Sequence, residues 1–287
     1  MVKLRERIRL LEKENPKLTF FDAALLNLFR YWFNPSFLVL KRIDWSTPAS
    51  ILEKIIAYEA VHEINSWSDL RSRLEPEDRR CFAFFHPLIP NEPLIFVEVA
   101  LTNNMPKKID QVIKIDRNVI SENDINTAVF YSISSCQDGL SGISFGNFLI
   151  KEVVHKLQRK NEGLERFVTL SPVPGFVKWL KEKSISENLD EEDLLKQAII
   201  YFLHSDREDG FPNDPVARFH LGNGARLERI NLNADISLKG MHQSKGIMVN
   251  YLYEVNLLEN NHELFFQTKE VQCSEKIKNL SKKLQIQ

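Results

Sequence analysis

The sequence has little cysteine and no long apolar run. Its three cysteines, Cys81, Cys136 and Cys273, lie far apart without a CxxC pair, so neither a zinc ribbon nor a disulfide scaffold is expected. The apolar stretch at residues 93–101 is interrupted by Glu98 and is shorter than the roughly 18 residues that a membrane-spanning helix needs. The sequence therefore predicts an intracellular chain without a membrane span.

Neither sign of charge dominates. The 38 Lys and Arg residues are balanced by 39 Asp and Glu residues, which gives a net charge of −1 over 287 residues. A chain that holds a phosphate polymer needs a basic field, so no nucleic-acid partner is predicted. Apolar residues make up 43% of the chain, which is enough for a sizeable core and excludes a disordered chain.

Neither end of the sequence matches a common targeting sequence. The first 14 residues contain Glu6, Glu12 and Glu14 and no apolar run, unlike a secretory signal or an acid-poor transit peptide. The last residues are not the Ser-Lys-Leu peroxisomal tripeptide. The sequence predicts a cytoplasmic location, with the mitochondrial matrix or the peroxisome as alternatives.

The first quarter of the chain has the periodicity of helices. Apolar residues recur at spacings of three and four over residues 20–32 and 51–61. Thr47 and Pro48 precede the second helix, where Thr47 is expected to accept a hydrogen bond from an early helix amide. This portion has too little apolar surface to fold alone, so we predict a partial helical domain over residues 1–75.

The rest of the chain, residues 76–287, mixes strands and helices in a second predicted domain. Residues 81–85 and 94–101 predict a hairpin, and residues 128–134 predict a strand that precedes a helix over residues 147–160. Strands joined both directly and through helices are typical of an α+β fold. Further helices are predicted over residues 175–183, 191–203 and 270–284, and further strands over residues 225–238 and 247–254.

Three glycines, Gly139, Gly142 and Gly146, lie between the strand at residues 128–134 and the next helix. Glycines let consecutive amides face one concavity, and the helix N-terminus adds about half a positive charge, so an anion such as a pyrophosphate is stabilised there. The string is neither GxGxxG nor a Walker loop. The spacing of Gln137, Gly139 and Gly142 resembles the coenzyme A pyrophosphate loop of the GNAT acetyltransferase fold. A tight strand-to-helix turn is the alternative.

Two further segments contain residues suited to catalysis. Ser171 lies between Leu170 and two prolines that stiffen the backbone, but no GxSxG elbow surrounds it, so a helix cap is the alternative to a catalytic serine. His220 precedes an Asn-Gly turn and titrates near neutrality, so it is a candidate proton donor, with a buried structural histidine as the alternative. The other histidines lack HxxxH or HxH spacing, and no metal site is predicted.

Taken in order, these segments resemble the malonyl-CoA decarboxylase family. The likeness runs from about Phe33 to Tyr253 and includes AVFYSISSCQDGLSGISFGNFLIKEVV, TLSPVPGF and DPVARFHLGNGARLERINLNADISLKG. It implies a GNAT-like catalytic domain behind a helical domain, here shortened, and a homo-oligomer. It also implies a lyase that converts malonyl-CoA to acetyl-CoA and CO2 without a metal or other cofactor, and that thereby regulates malonyl-CoA and fatty-acid metabolism.

The resemblance also implies the site residues. The family's catalytic serine corresponds to Ser171, and its catalytic histidine corresponds to His220, although Asp214 stands where the family usually has asparagine. Ser144 stands where relatives can carry glutamate. The implied substrate-binding residues are Ser171, His220 and the loop Ser141, Gly142, Ile143, Ser144, Phe145, Gly146 and Asn147.

Decarboxylation of malonyl-CoA leaves an enolate, so the site must bind coenzyme A, orient the carboxylate, stabilise an oxyanion and protonate carbon. We assign backbone amides near Gly142 to Gly146 to the pyrophosphate or the thioester oxygen. We assign Ser171 to the malonyl carboxylate or the oxyanion, and His220 to the protonation of the α-carbon. If Ser171 and His220 touch, a proton relay through the serine is the alternative. Asn231 and Tyr253 also fall in matching strings, with roles left open.

The sequence leaves three alternative functions to consider. A catalytically silent malonyl-CoA binder is suggested by Ser144 and Asp214. A GNAT-type acyl-CoA transferase is the alternative within the same fold. A purely structural helical partner is disfavoured because it gives the glycine and proline strings no reason to occur together. Lys151, one turn into the helix after the glycine loop, is either a phosphate contact or an ordinary surface lysine.

Overall fold

The structure is a computed structural model that describes residues 1–143, 145–186 and 188–284. Its contacts divide the chain into two compact units. The first unit consists of Met1–Val99 and Ser132–Glu162, and the second consists of Ala100–Tyr131 and the chain from Gly163 onward. This division follows packing alone, so the helical domain over residues 1–75 and the catalytic domain over residues 76–287 stay a prediction.

Helices and strands are interspersed along the described residues. The helices are α1 (Val2–Leu11), α2 (Thr19–Trp32), α3 (Ala49–Tyr58), α4 (Trp67–Leu74), α5 (Asp110–Ile113), α6 (Gly146–Gln158), α7 (Phe176–Glu182), α8 (Glu191–Leu203), α9 (Pro215–Gly222), α10 (Leu238–Ser244), α11 (Leu258–Thr268) and α12 (Glu275–Lys283). The strands are β1 (Val39–Ile43), β2 (Arg79–His86), β3 (Ile89–Thr102), β4 (Thr127–Ser135), β5 (Arg166–Thr169), β6 (Ser171–Pro172), β7 (Arg226–Asn231) and β8 (Met248–Tyr253).

In the first unit the strands follow the order β1, β2, β3 and β4, and β1 pairs antiparallel with β2. Apolar side chains from α3, α4 and these strands form one core. Burial raises the pKa of the Cys81 and Cys136 thiols, so both act as small apolar side chains in this core. The core contains Ile43, Ile51, Leu52, Ile55, Ile64, Leu70, Leu74, Cys81, Ala83, Phe85, Phe96 and Cys136.

A buried glutamate joins the end of α3 to the end of β4. The Glu59 carboxylate accepts hydrogen bonds from Ser132 Oγ at 2.7 and 2.8 Å. It also accepts from the backbone amides of Val61 and His62, each at 2.8 Å. A buried carboxylate is unfavourable unless donors surround it, and here several do. These bonds therefore hold the turn after α3 against the strand that leads into the glycine loop.

In the second unit the strands follow the order β3, β4, β5, β8 and β6, and β7 also pairs with β8. Strands β4 and β5 are parallel, whereas β5, β6 and β7 all run antiparallel to β8. Phe167 of β5 lies opposite Tyr253, and Ser171 of β6 lies opposite Val249. Mixed pairing with interspersed helices confirms the predicted α+β class.

Most of the predicted elements are present, but some boundaries and one cap differ. The strand predicted over residues 225–238 ends at Asn231, because Asn233 adopts a left-handed backbone with φ of 51° and starts a turn. The predicted cap at Thr47 is wrong, since its Oγ1 accepts from the Asp44 amide at 3.0 Å and α3 starts without a side-chain cap. None of the described helices has the length and apolarity needed to cross a membrane.

We expect Glu59→Gln to lower the free energy of unfolding by about 2 kcal/mol. Ser132 and the backbone amides of Val61 and His62 lose a charged acceptor, and the new side-chain NH2 group, itself a donor, faces these donors. Urea denaturation measures this change. The control is Glu63→Gln, which alters an exposed carboxylate four residues away and is expected to leave the midpoint unchanged. Equal midpoints for the two variants would contradict the tethering role of Glu59.

Candidate active site

Ser171 and His220 lie side by side in the second unit. Ser171 begins the short strand β6, and His220 lies near the end of α9. The Ser171 Oγ is 3.1 Å from His220 Nε2. The two residues are only 5% and 4% exposed, so their hydrogen bond lies in a low-dielectric environment where its electrostatic strength is greater than in water.

Ser171 is positioned by strand pairing and by Thr169. Its hydroxyl donates to Thr169 Oγ1 at 2.9 Å, and the same Oγ1 accepts from the Tyr251 amide at 3.1 Å. Thr169 and Ser171 are two positions apart, so the strand repeat places both on one face. The helix-cap alternative is wrong, because α7 begins at Phe176 with Gly175 at its N-cap position.

His220 reaches this face because the preceding segment forms a helix that the sequence analysis missed. Helix α9 starts with Pro215 after Asp214, whose Oδ1 accepts from the Ala217 amide at 2.8 Å. Burial raises the pKa of Asp214 to about 6, and the Tyr201 hydroxyl donates to its Oδ2 at 3.3 Å. Asparagine and aspartate both supply a cap oxygen, so the departure at Asp214 preserves the start of the helix.

The His220 ring is enclosed by two tyrosines of β8. It stacks on Tyr251 with ring centroids 4.7 Å apart and an interplanar angle of 27°. The Tyr253 hydroxyl oxygen lies 2.7 Å from His220 Nδ1. Tyr251 and Tyr253 share one face of β8 because they are two residues apart. Tyr253, whose role the sequence left open, therefore contacts the predicted histidine directly.

The hydrogen bonds around His220 share one donor-to-acceptor direction, from Tyr253 through His220 to Ser171. Burial raises the pKa of Tyr253 well above its usual range, so the phenol keeps its proton and donates to Nδ1. The Ser171 hydroxyl donates to Thr169, so its oxygen accepts from His220 and the ring proton is assigned to Nε2. Burial lowers the pKa of His220 to about 3, which keeps the ring neutral.

The order from Tyr253 through His220 and Ser171 to Thr169 is that of a proton-delivery chain. In a nucleophile activated by a base, the serine would donate to an unprotonated histidine nitrogen, whereas the donation from Ser171 to Thr169 assigns the proton to Nε2. The assignment therefore favours proton donation through the Ser171 hydroxyl. The signal that identifies Thr169 and Tyr251 is the two-residue repeat beside Ser171 and Tyr253, which the sequence analysis did not use.

Asn231 acts on this group only at a distance. Its Nδ2 donates to Asn250 Oδ1 at 2.8 Å, and Asn250 Nδ2 donates to the Thr169 carbonyl at 2.7 Å. Arg229 Nε also donates to Asn250 Oδ1, at 3.1 Å. These side chains connect β7, β8 and β5, and they hold the backbone of Thr169 beneath the Ser171 hydroxyl.

The predicted substrate loop lies in the first unit. A short 3-10 turn at Asp138–Leu140 follows β4, and Gly142 adopts a φ of +87°, which favours glycine. Helix α6 begins at Gly146, and Phe145 at its N-cap position supplies no side-chain cap. The first amides of a helix have no partner within the helix and can bind an anion. Of the remaining loop residues, Ile143 is half-buried and Phe145 is buried.

Ser144 and the side chain of Asn147 lie outside the described residues. The substrate-binding role of the loop therefore stays a prediction, as does that of Lys151, which is half-buried on α6. Within residues 1–143, 145–186 and 188–284, no three His, Cys, Asp or Glu side chains are grouped in a way that could hold a metal ion. The expectation of metal-free chemistry stays a prediction.

Comparison with known proteins identifies relatives over most of the chain. A family model described as malonyl-CoA decarboxylase C-terminal domain matches residues 36–198 and 181–287. A mitochondrial malonyl-CoA decarboxylase from Anser anser anser is 35% identical over 311 residues. That match covers 92% of this chain and 62% of the relative, so the chain spans less than two thirds of the length of this curated relative.

Solved structures show the same relationship. The malonyl-CoA decarboxylase from Agrobacterium vitis is 49% identical with a TM-score of 0.91, over 97% of this chain and 75% of that chain. The loading GNATL domain of CurA from Lyngbya majuscula is 14% identical with a TM-score of 0.53, over 76% of this chain and 98% of that chain. At this low identity the second likeness concerns the fold alone, and it confirms the predicted GNAT-like architecture.

The burial of His220 predicts how the free energy of unfolding depends on pH. Because its pKa is lowered to about 3 in the folded chain, the unfolded chain binds a proton below about pH 6.5 that the folded chain does not. Stability is therefore lost as the pH falls. Between pH 7 and pH 5 we expect the parent to lose about 2 kcal/mol more unfolding free energy than His220→Gln does. Equal losses in urea denaturation would show that His220 is protonated in the folded chain.

Proposed function

Because the chain belongs to the malonyl-CoA decarboxylase family, we propose that it is a carboxy-lyase that converts malonyl-CoA to acetyl-CoA and CO2. The observation that carries this proposal is the buried chain of hydrogen bonds from Tyr253 through His220 to Ser171. A decarboxylase of this type has to deliver a proton to carbon, and these residues are arranged to donate one.

The proposed reaction breaks the bond between the malonyl carboxylate carbon and the α-carbon. The bonding electrons move into the thioester as an enolate while CO2 leaves, and one proton added to the α-carbon completes acetyl-CoA. Loss of CO2 is favoured when the breaking bond is perpendicular to the thioester plane, so orientation supplies part of the rate enhancement. Donors directed at the enolate oxygen supply a further part.

We assign the proton transfer to a neutral relay. Ser171 gives its hydroxyl proton to the α-carbon and receives one from His220 Nε2, while His220 Nδ1 receives the Tyr253 proton. His220 thus gains at one nitrogen what it loses at the other, so no imidazolium forms in a site whose burial lowers the histidine pKa. The Tyr253 oxygen takes up a solvent-derived proton in the same relay, so no phenolate forms in a site whose burial raises the tyrosine pKa.

We propose that the loop from Ser141 to Asn147 binds the coenzyme A part of the substrate. The uncapped start of α6 and the positive φ of Gly142 support this role, because both allow backbone amides to face an anion. No metal or organic cofactor enters the proposed reaction, as the resemblance implies. The proposal includes control of malonyl-CoA and thereby of fatty-acid metabolism.

Assembly and location are proposed on the same basis. We propose a homo-oligomer, as the family resemblance implies. The cytoplasm is the predicted compartment, and the mitochondrial matrix and the peroxisome are the alternatives. The mitochondrial name of the Anser relative favours the matrix among those alternatives.

The function is tested by incubating the purified chain with malonyl-CoA in D2O without added cofactor. We expect acetyl-CoA and CO2 in equal amounts, with one deuterium in the methyl group of the acetyl-CoA by mass spectrometry, because the enolate takes one solvent-derived proton. Binding of malonyl-CoA without product would favour the silent binder. Transfer of acetyl groups from separately supplied acetyl-CoA to added amines, with malonyl-CoA left unconsumed, would favour the acyltransferase.

We expect His220→Ala to lower kcat by roughly two to four orders of magnitude, because removal of a proton donor typically has an effect of this size. Coenzyme A affinity, measured by calorimetry, is expected to stay within about threefold of the parent. His155→Ala, on the exposed side of α6, is the matched control and is expected to keep full turnover. A parallel loss of binding and rate would make His220 a structural residue.

We expect Ser171→Ala to lower kcat more than it raises KM, because the hydroxyl contributes to the transition state and not to ground-state binding. The kinetics are measured with malonyl-CoA at neutral pH. The exposed serine Ser186, changed to Ala, is the control and is expected to leave both constants unchanged. An unchanged kcat in Ser171→Ala would remove Ser171 from the mechanism.

A further inference from the structure

Arg5 is a buried arginine of α1 whose hydrogen bonds go to the backbone of the glycine loop. Its Nη1 donates to the Gly139 carbonyl at 2.8 Å and to the Ser141 carbonyl at 2.7 Å. Its Nε and Nη2 donate to the two carboxylate oxygens of Asp22 on α2, at 2.9 and 3.2 Å. The guanidinium therefore connects two helices with two carbonyls of the loop.

Helix α1 packs closely against the 3-10 turn Asp138–Leu140 of the glycine loop. A Cβ atom at Gly139 would overlap the backbone carbonyl of Val2, so only glycine allows this close approach. Arg9, one turn after Arg5, donates to the Asp138 carbonyl at 2.9 Å. Three carbonyls between Asp138 and Ser141 thus accept hydrogen bonds from arginines of α1.

These bonds also orient an amide. The described residues contain no cis peptide bond, so the Ser141–Gly142 peptide is trans. In a trans peptide the N–H points away from the carbonyl of the preceding residue. Because the Ser141 carbonyl faces Arg5, the Gly142 N–H points away from α1. A Cβ atom added at Gly142 would lie 3.4 Å from Leu26 Cδ1 of α2, so α2 borders the loop on another side.

We propose that Arg5 is a positioning residue that holds the Gly142 amide in the orientation needed to bind the anionic part of coenzyme A. The inference deepens the proposed function and rests on it for the identity of the anion. Arg5 is not itself the phosphate ligand, since its charge is paired with Asp22 and its donors are directed at protein acceptors. It acts through the loop backbone.

The arrangement requires arginine. A planar guanidinium can bind a carboxylate with two donors and two carbonyls with a third nitrogen, whereas a lysine ammonium is a single point charge. Arg5→Lys keeps the charge opposite Asp22 but cannot span all four acceptors. This variant therefore tests the geometry separately from the charge.

The experiment measures coenzyme A affinity by calorimetry and malonyl-CoA kinetics on the full chain for the parent, Arg5→Lys and Arg7→Lys. Arg7 lies on the same helix with its side chain exposed, so Arg7→Lys is the matched control. Hydrogen exchange of the peptide that contains Gly142 reports the order of the loop. Thermal melting shows that each variant is folded.

For Arg5→Lys we expect about a tenfold weaker affinity for coenzyme A, a similar rise in KM, a kcat within about twofold of the parent, and faster exchange of the Gly142 amide. Asp22→Asn, which weakens the anchor of Arg5, is expected to change the same quantities in the same direction. Arg7→Lys is expected to match the parent. Unchanged affinity in a folded Arg5→Lys protein, or an equal loss in Arg7→Lys, would overturn the proposal.

The two proposals fail in different ways. If the parent binds coenzyme A and Arg5→Lys weakens that binding, but the parent forms no acetyl-CoA, then Arg5 positions the loop and the decarboxylase proposal is wrong. If the parent decarboxylates malonyl-CoA and Arg5→Lys has parent-like affinity, then only the role of Arg5 is wrong. A parent that does not bind coenzyme A would overturn the role of Arg5.

Discussion

The burial of His220 between two tyrosines of β8 is the constraint on which the proposed chemistry depends. Removal from water keeps the ring neutral, so its two nitrogens must differ, one as donor and one as acceptor. The protonated Tyr253 donates to Nδ1, which leaves the proton on Nε2 facing Ser171. Ser171, whose hydroxyl donates to Thr169, accepts from Nε2, so the bond directions on the two sides of the ring agree.

Both predicted functional segments are held through backbone atoms by side chains that are distant in sequence. In the second unit, Asn250 donates to the Thr169 carbonyl two residues before Ser171. In the first unit, Arg5 binds the carbonyls of Gly139 and Ser141. Buried polar groups are unfavourable unless satisfied, so each such bond favours one backbone conformation over its neighbours. The proposed site acts through amides and hydroxyls, and such a site needs that precision because small displacements remove hydrogen bonds.

The departure from the family pattern at Asp214 has a physical explanation. The carboxylate accepts from the Ala217 amide at the start of α9, which an asparagine oxygen can do equally well. The Tyr201 hydroxyl supplies a second donor to the same side chain. The replacement therefore keeps the helix that carries His220, and it does not by itself favour a silent binder over an enzyme.

The amino-acid sequence by itself determined the α+β class and most helices and strands, because periodicity depends on residues close together in the chain. The choice of Ser171 and His220 came from the resemblance of local strings to the family, and their roles stay a proposal. The sequence left α9 unrecognised and misassigned the cap at Thr47, since a short helix and a single hydroxyl have several local alternatives. Only the tertiary structure decided the tautomer of His220, the roles of Thr169 and Tyr251, and the contact of Arg5 with carbonyls 134 and 136 positions later. Burial and hydrogen-bond direction are set by atoms that the fold brings together from distant parts of the chain, and no local pattern contains them.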